Sequence, residues 1–309
     1  MTRAGGGAGG PASGPASGPA TGPCVVALGG GHGLAASLRA VRRYSGDVTA
    51  VVSVADDGGS SGRLREAFGI PAPGDLRRCL VALGTDERWS RAFEHRFEAG
   101  ELEGHALGNL VIAGLASATG DFLGALDEAG RLVGAVGRVL PATLTPVILK
   151  AVVGGAEVEG QVRVQQAEAG RIDSVSLVPP DAEPPPEVLD AISRADQVIV
   201  GPGSLYTSVL AAVVVPAIAA ALQDSPAIKI YVCNLRTDSE TAGYDAADHL
   251  AALHAHGVRP DVVIHDPDAL APGDLAAAAP RTVAAALALP DDKGHDPARL
   301  ADVLAKLVR

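Results

Sequence analysis

Scarcity narrows the chain before any motif does. Three cysteines in 309 residues, Cys24, Cys79 and Cys233, stand far apart with no CxxC spacing. That excludes the common zinc patterns and suits free thiols in a reducing compartment. Lysine and arginine number 25 against 36 aspartates and glutamates, for a formal charge of -11, and the arginines form no basic stripe. A polyanion would be repelled, so no nucleic-acid partner is expected. The longest apolar run, Val209 to Leu222, has 14 residues with Pro216 at its centre, short of the roughly 20 that a membrane-spanning helix needs. The first 23 residues, rich in Gly, Pro, Ala and Ser, lack the apolar segment of a secretory signal. Their composition predicts a disordered tail over 1–23 and a cytoplasmic protein. A Ser-His-Asp order and a nucleophile elbow are also missing.

What is present is enough apolar residue for a large core. At 47% hydrophobic and 20% charged, residues 24–309 read as a single α/β domain. "VVAL" and "DVTAVVSVA" are β-branched runs separated by the amphipathic segment Leu34 to Arg43, the βαβ pattern of a parallel sheet with both faces covered. Helical patterns dominate 86–137 and predict a helical insertion over the sheet. "VILKAVVGGAEVEGQVRV" shows two alternating runs around Gly154-Gly155, a hairpin signal. The parallel rhythm then resumes with "VLDAISRA", "QVIVGPGS", "LYTSVLAAVVV", "KIYVCN", "AADHLAALHAHG" and "DVVI", and a final helix, "DPARLADVLAKLV", closes the chain. The expected fold is Rossmann-like: a mostly parallel sheet, helices on both faces, a helical insertion and a β-hairpin.

Ligands of an open α/β sheet sit beyond the carboxyl ends of its strands, where helix N-termini present free N–H groups. The predicted strand ends carry Gly29-Gly30-Gly31-His32-Gly33, then Asp56-Asp57-Gly58-Gly59-Ser60-Ser61-Gly62 followed by Arg63, then Gly201-Pro202-Gly203-Ser204, and Asn234. Gly31, Gly33 and Ala36 fit a dinucleotide fingerprint with Asp56 downstream. Two carboxylates followed by serines and an arginine suit a diphosphate with a cation or sugar better than the single ribose-binding acid of a nicotinamide site. The glycines equally permit positive φ and close helix packing, and the Asp pair reads equally as a capped turn. "GPGS" can cradle an anion at a helix start or form an ordinary Pro-Gly turn with a serine N-cap. His105 and Asn109 share a helix face, as ligands or as cap and core residues. His32 places a donor inside the glycine turn. His249, His254 and His256 are expected on a solvated helix face rather than at a metal.

The blocks "VVALGGGHGLAASL", "ADDGGSSGRLR", "PGDLRRCLVAL", "HRFEAGELEGHALGNLVIAGL", "TGDF", "VIVGPGSLYTSVL" and "YVCNLRTDSETAGYDAADHL", in this order, resemble the YvcK-type proteins of the CofD-like family, also called gluconeogenesis factors. One branch of that family transfers a phospholactyl group from a guanosine diphosphate carrier to a deazaflavin, with magnesium. The YvcK branch binds UDP-sugars such as UDP-N-acetylglucosamine and is linked to cell shape and peptidoglycan homeostasis during gluconeogenic growth, with no established reaction. This chain lacks the tryptophan-containing "LGD" segment of the transferases. The resemblance implies Gly30, Gly31, His32 and Gly33 at the phosphates, with Asp57, Ser60 and Ser61 beside them; Asp56 and Arg63 of the same turn join them as candidate ligand-binding residues from the strand-end reading. It further implies Asn109, Gly201, Gly203, Ser204 and Asn234 along the same cleft, and Mg2+ with a nucleotide diphosphate at Asp57 and Asp75. The implied partners are a UDP-sugar, a second copy in a homodimer and a cell-wall enzyme. His32 replaces the family's usual threonine, and the region after Pro260 is short and Ala-rich, a departure in the part where a regulatory role would lie.

Overall fold

The computed structural model describes residues 22–167, 171–291 and 294–308. The tail expected over 1–23 falls, up to residue 21, outside the described residues. Among the described residues ten strands run as β1 Cys24–Gly29, β2 Asp47–Val52, β3 Arg138–Pro141, β4 Ile148–Val153, β5 Ala156–Glu159, β6 Ile172–Val178, β7 Gln197–Val200, β8 Ile228–Val232, β9 Val262–His265 and β10 Thr282–Ala284. The first helices are α1 Gly31–Val41, α2 Gly59–Phe68, α3 Pro73–Leu83, α4 Glu87–Glu94, α5 Leu107–Thr119, α6 Phe122–Val133 and α7 Gln161–Gln165. After α8 Pro186–Arg194, a π-helical segment Leu205–Leu210 leads into α9 Ala211–Val213 and α10 Pro216–Asp224. The chain ends with α11 Ala246–Ala255, α12 Leu275–Ala278 and α13 Pro297–Leu304.

Seven strands form one sheet in the order β10-β9-β8-β7-β1-β2-β3, with every neighbouring pair parallel. The central strands carry apolar residues on both faces because helices cover both: Val25 to Leu28 and Val198 to Val200 are essentially fully buried. From β1 the chain steps outward through β2 to β3, and from β7 it steps the opposite way through β8 and β9 to β10. α1 and α3 pack together, and by the right-handed rule for parallel βαβ crossovers α10 and α11, on the oppositely running half, belong to the other face. The direction reverses between β1 and β7, and that is the topological switch point of the sheet.

The helical stretch expected over 86–137 is part of the crossover from β2 to β3, which begins earlier, with α2 and α3. The hairpin at Gly154-Gly155 forms as expected, with φ of 56° and 81° at its two central glycines and Val153 opposite Ala156. This is the doubly left-handed turn that matches strand twist. Its second arm stops at Glu159, because Gly160 takes φ 96° and "QVRVQ" becomes α7. An additional strand, β6, pairs with the other edge of β4, making a three-stranded antiparallel sheet β5-β4-β6. Among the described residues no single helix is long and apolar enough to cross a membrane. The apolar pair Leu205–Val213 and Pro216–Asp224 turns through 75°, and its residues Val209, Leu210 and Val213 lie in the core.

Candidate functional site

The glycine turn after β1 and the Gly-Pro-Gly-Ser turn after β7 meet at the switch point. A side chain on Gly33 would collide with the carbonyl of Pro202 and stand 2.7 Å from the Gly203 nitrogen. Only a residue without Cβ lets the two turns close. Gly30 is walled on one side by Asp75, at 2.7 Å from where its Cβ would lie, and on the other by Ser208 at 3.3 Å. Gly31 takes φ 63° and donates its N–H to Asp75 Oδ2 at 2.7 Å. Asp75 lies in the first turn of α3 and is paired with Arg78 at 2.5 Å. α1 has Gly30 at its N-cap with no side-chain cap, so the first-turn amides of His32 and Gly33 have no protein acceptor among the described residues.

The third converging segment comes from β8. Asn234 donates Nδ2–H to the Gly203 carbonyl and accepts the Gly203 N–H, both at 2.9 Å. It therefore braces the turn rather than waiting for a ligand with both ends. A cleft of about 250 Å³ opens here, lined by Gly33, Pro202, Ser204, Asn234, Thr237 and His295 among others. The Ser204 hydroxyl makes no side-chain cap on the helix that follows. The anion position expected there is filled from within: Glu240 accepts Tyr206 N–H at 3.0 Å, Thr207 N–H at 3.1 Å and the Thr207 hydroxyl. Burial pushes the Glu240 carboxyl above its ordinary value, against the pull of those donors. Nothing in the pattern "DSETAG" marks Glu240 from sequence; its role depends on a contact 33 residues away in the chain.

The double-aspartate turn lies on the β2 side and divides its two acids. Asp56 accepts Gly58 N–H at 2.9 Å, and its Oδ2 stands 3.5 Å from where Gly74, beside Asp75, would carry a Cβ. Burial raises its carboxyl, held back by the Gly58 N–H, with the Asp75 charge adding to the rise. Asp57 faces away: its carboxylate accepts the N–H groups of Gln161 and Val162 at 3.0 and 3.1 Å. Arg63, expected beside the phosphates, donates to the Glu103 carbonyl at 2.9 Å. Both Asp57 and Arg63 line a separate cleft between α2 and the small sheet. The two acids of the expected metal pair, Asp57 and Asp75, serve different partners, the α7 amides and the Gly31 N–H with Arg78, and Asp56 is the acid near Asp75. Among the described residues no three His, Cys, Asp or Glu side chains gather as a metal cage. A magnesium ion that takes one or two carboxylates and the ligand's own phosphates fits Asp56 and Asp75 better than Asp57.

Ser60 and Ser61 open α2. Ser60 Oγ lies 3.0 Å from His105 Nδ1 and accepts Asn109 Nδ2–H at 3.0 Å, which ties the start of α2 to that of α5. Burial, then Arg63, lowers the His105 pKa. Asn109 is 2% exposed and its Oδ1 has no partner. Ser61 Oγ abuts Gly74. His32 stands exposed on the first turn of α1, and burial of part of its ring, with Arg78 nearby, lowers its pKa. Of the three histidines expected on a solvated face, only His254 stays half-exposed without a side-chain partner among the described residues. His249 is fully buried against Tyr231 OH at 3.0 Å, and His256, just past the end of α11, accepts Val175 N–H through Nε2 at 3.0 Å, which ties β6 of the small sheet to that helix end.

Set beside known proteins, residues 25–283 match the family model described as 2-phospho-L-lactate transferase CofD. The gluconeogenesis factor of Halalkalibacterium halodurans is 46% identical over 248 residues, 78% of this chain and 77% of that protein. A putative gluconeogenesis factor of Nostoc sp. is 44% identical over 75% of this chain, which spans about half of it, 51%. Among solved structures, that of a protein member of the UPF0052 family from Bacillus halodurans superposes with a TM-score of 0.87 at 37% identity, covering 92% of this chain and 99% of that one.

Proposed function

The chain belongs to the CofD-like family of gluconeogenesis factors, and from that membership together with the switch-point geometry we propose that it binds a nucleotide diphosphate sugar of the UDP-N-acetylglucosamine kind. The observation that carries this reading is the closure of the Gly30–Gly33 turn onto the Pro202–Ser204 turn, which leaves two uncommitted first-turn amides beside an open cleft. A diphosphate is stabilised there by the helix N-terminus and by its N–H groups. The nucleoside then occupies the cleft braced by Asn234, and the sugar points toward Asp56 and the Ser60–Asn109 pair. The described groups at the crevice are donors, braces and already bonded acids, and with the family membership they fit a binding and regulatory role in cell shape and peptidoglycan homeostasis during gluconeogenic growth. Isothermal calorimetry with UDP-N-acetylglucosamine is the test. Saturable heat supports the reading, and no heat at millimolar ligand with folded protein removes it.

The family model's description favours a second reading, a phospholactyl transferase, in which Asp56 and Asp75 hold magnesium against the donor diphosphate. When bound, magnesium would neutralise phosphate charge; the protein's own part is to hold the diphosphate at α1. Turnover of a guanosine diphosphate donor with a deazaflavin acceptor supports this alternative, and inactivity beside an active family transferase counts against it.

A further inference from the structure

Helix α7 is a five-residue piece whose two ends are fastened to different sides of the switch point. At its start, the Gln161 and Val162 amides donate to Asp57 in the turn after β2. Near its end, Gln165 Nε2 donates to Thr207 Oγ1 at 3.1 Å, in the π-helical segment after β7. The sheet order around this point is β7-β1-β2. Neighbouring strands lie about 4.8 Å apart, so the β7 and β2 ends are about 10 Å from one another. A five-residue helix rises about 7.5 Å, and the reach of the Asp57 and Gln165 side chains at its two ends supplies the rest.

We propose that α7 is a strap across the carboxyl end of β1, and that it controls entry to and exit from the nucleotide-sugar crevice. The proposal rests on the reading of that crevice given above. The strap is also joined to the far wall. Thr207, which accepts from Gln165, donates its own hydroxyl to Glu240, and the loop leading to Glu240 supplies Asn234 through Asp238 to the cleft lining. One relay, Gln165 to Thr207 to Glu240, therefore links strap, helix start and cleft wall. The anchors are weak enough to part. Asp57 is exposed, α7 is too short to hold a helical shape by itself, and its main apolar anchor is Val164, which is 2% exposed. Val162 Cγ2 lies 3.3 Å from where Gly58 would carry a Cβ, so the strap rests directly on the double-aspartate turn.

The test locks the strap and then loosens it. In a Gly58→Cys, Val162→Cys chain, exchange of a fluorescently labelled UDP-N-acetylglucosamine is followed before and after reduction. The strap predicts that the oxidised form exchanges ligand about tenfold more slowly in both directions than the reduced form. Gln165→Ala is the second variant: association and dissociation rates should rise together by about threefold or more, with Kd nearly unchanged. Equal exchange in the oxidised and reduced forms, or a rise in dissociation alone in Gln165→Ala, overturns the strap. Absence of binding in the wild-type chain overturns the crevice reading itself, and the strap with it.

Discussion

At the scale of single residues, the site depends on atoms that are missing as much as on those present. Gly33 has an ordinary backbone conformation, since its φ is not among the positive ones, so its requirement is purely one of space. Gly33→Ala must push Pro202 and Gly203 away from α1, an overpacking that costs about 1–3 kcal/mol. It should lower the melting temperature and abolish nucleotide-sugar binding together. Wild-type affinity in a folded Gly33→Ala protein would show that contact between the two turns is irrelevant to the ligand. Gly31 makes the opposite case: a Cβ there meets nothing within 4 Å, but φ 63° disfavours any other residue by roughly 1 kcal/mol. Asp75, read from sequence only as a candidate metal ligand, instead holds the glycine turn through the Gly31 N–H. Sequence gives its position in "PGD" at a helix start; the direction of its carboxylate depends on α3 packing beside α1.

At the scale of elements, what was legible followed from local pattern. Continuous apolar runs next to glycine mark β1, β2 and β7, and a β-branched and aromatic run marks β8, because buried parallel strands need no polar face, and Gly154-Gly155 marks the hairpin because both residues must take positive φ. What was not legible depends on partners distant in the chain. "GQVRVQ" alternates like a strand, yet becomes α7 because Asp57, 104 residues away, caps its amides. β6, "IDSVSLV", alternates weakly with three buried positions of seven, and only β4 beside it makes it a strand. β10 is a three-residue strand whose Ala-rich surroundings carry no period. The site divides in the same way. The glycine and GPGS turns were readable as turns, whereas the capture of the helix-start amides by Glu240 and of Ser60 by His105 required the folded arrangement.

For the whole molecule, buried neutral histidines tie stability to pH. Burial pushes the pKa of His249 and of His295 down to about 4; His295 Nε2 lies 3.0 Å from the Cys233 carbonyl. A histidine whose pKa is lowered by folding binds fewer protons in the folded state. Its contribution is therefore complete above the unfolded value near 6.5 and is lost as pH falls toward 4. Each residue should cost about 2 kcal/mol by pH 5, an effect read as a falling melting temperature between pH 7 and pH 5. Asp56 and Glu240, raised by burial, act in the opposite sense, so the histidine part is isolated by comparison with His249→Phe, whose melting temperature should fall less over that range. A pH dependence identical to wild type would mean that His249 is not held neutral by the core.

The central claim is that turns from β1, β7 and β8 form one nucleotide-sugar cleft at the reversal point of the sheet. A crystal structure of the protein soaked with UDP-N-acetylglucosamine tests it most directly. The diphosphate is expected against the His32 and Gly33 amides, with the uridine beside Ser204 and Asn234. Density for the nucleotide in the arginine-lined cleft between α2 and the small sheet, with the switch point left to solvent, would contradict it.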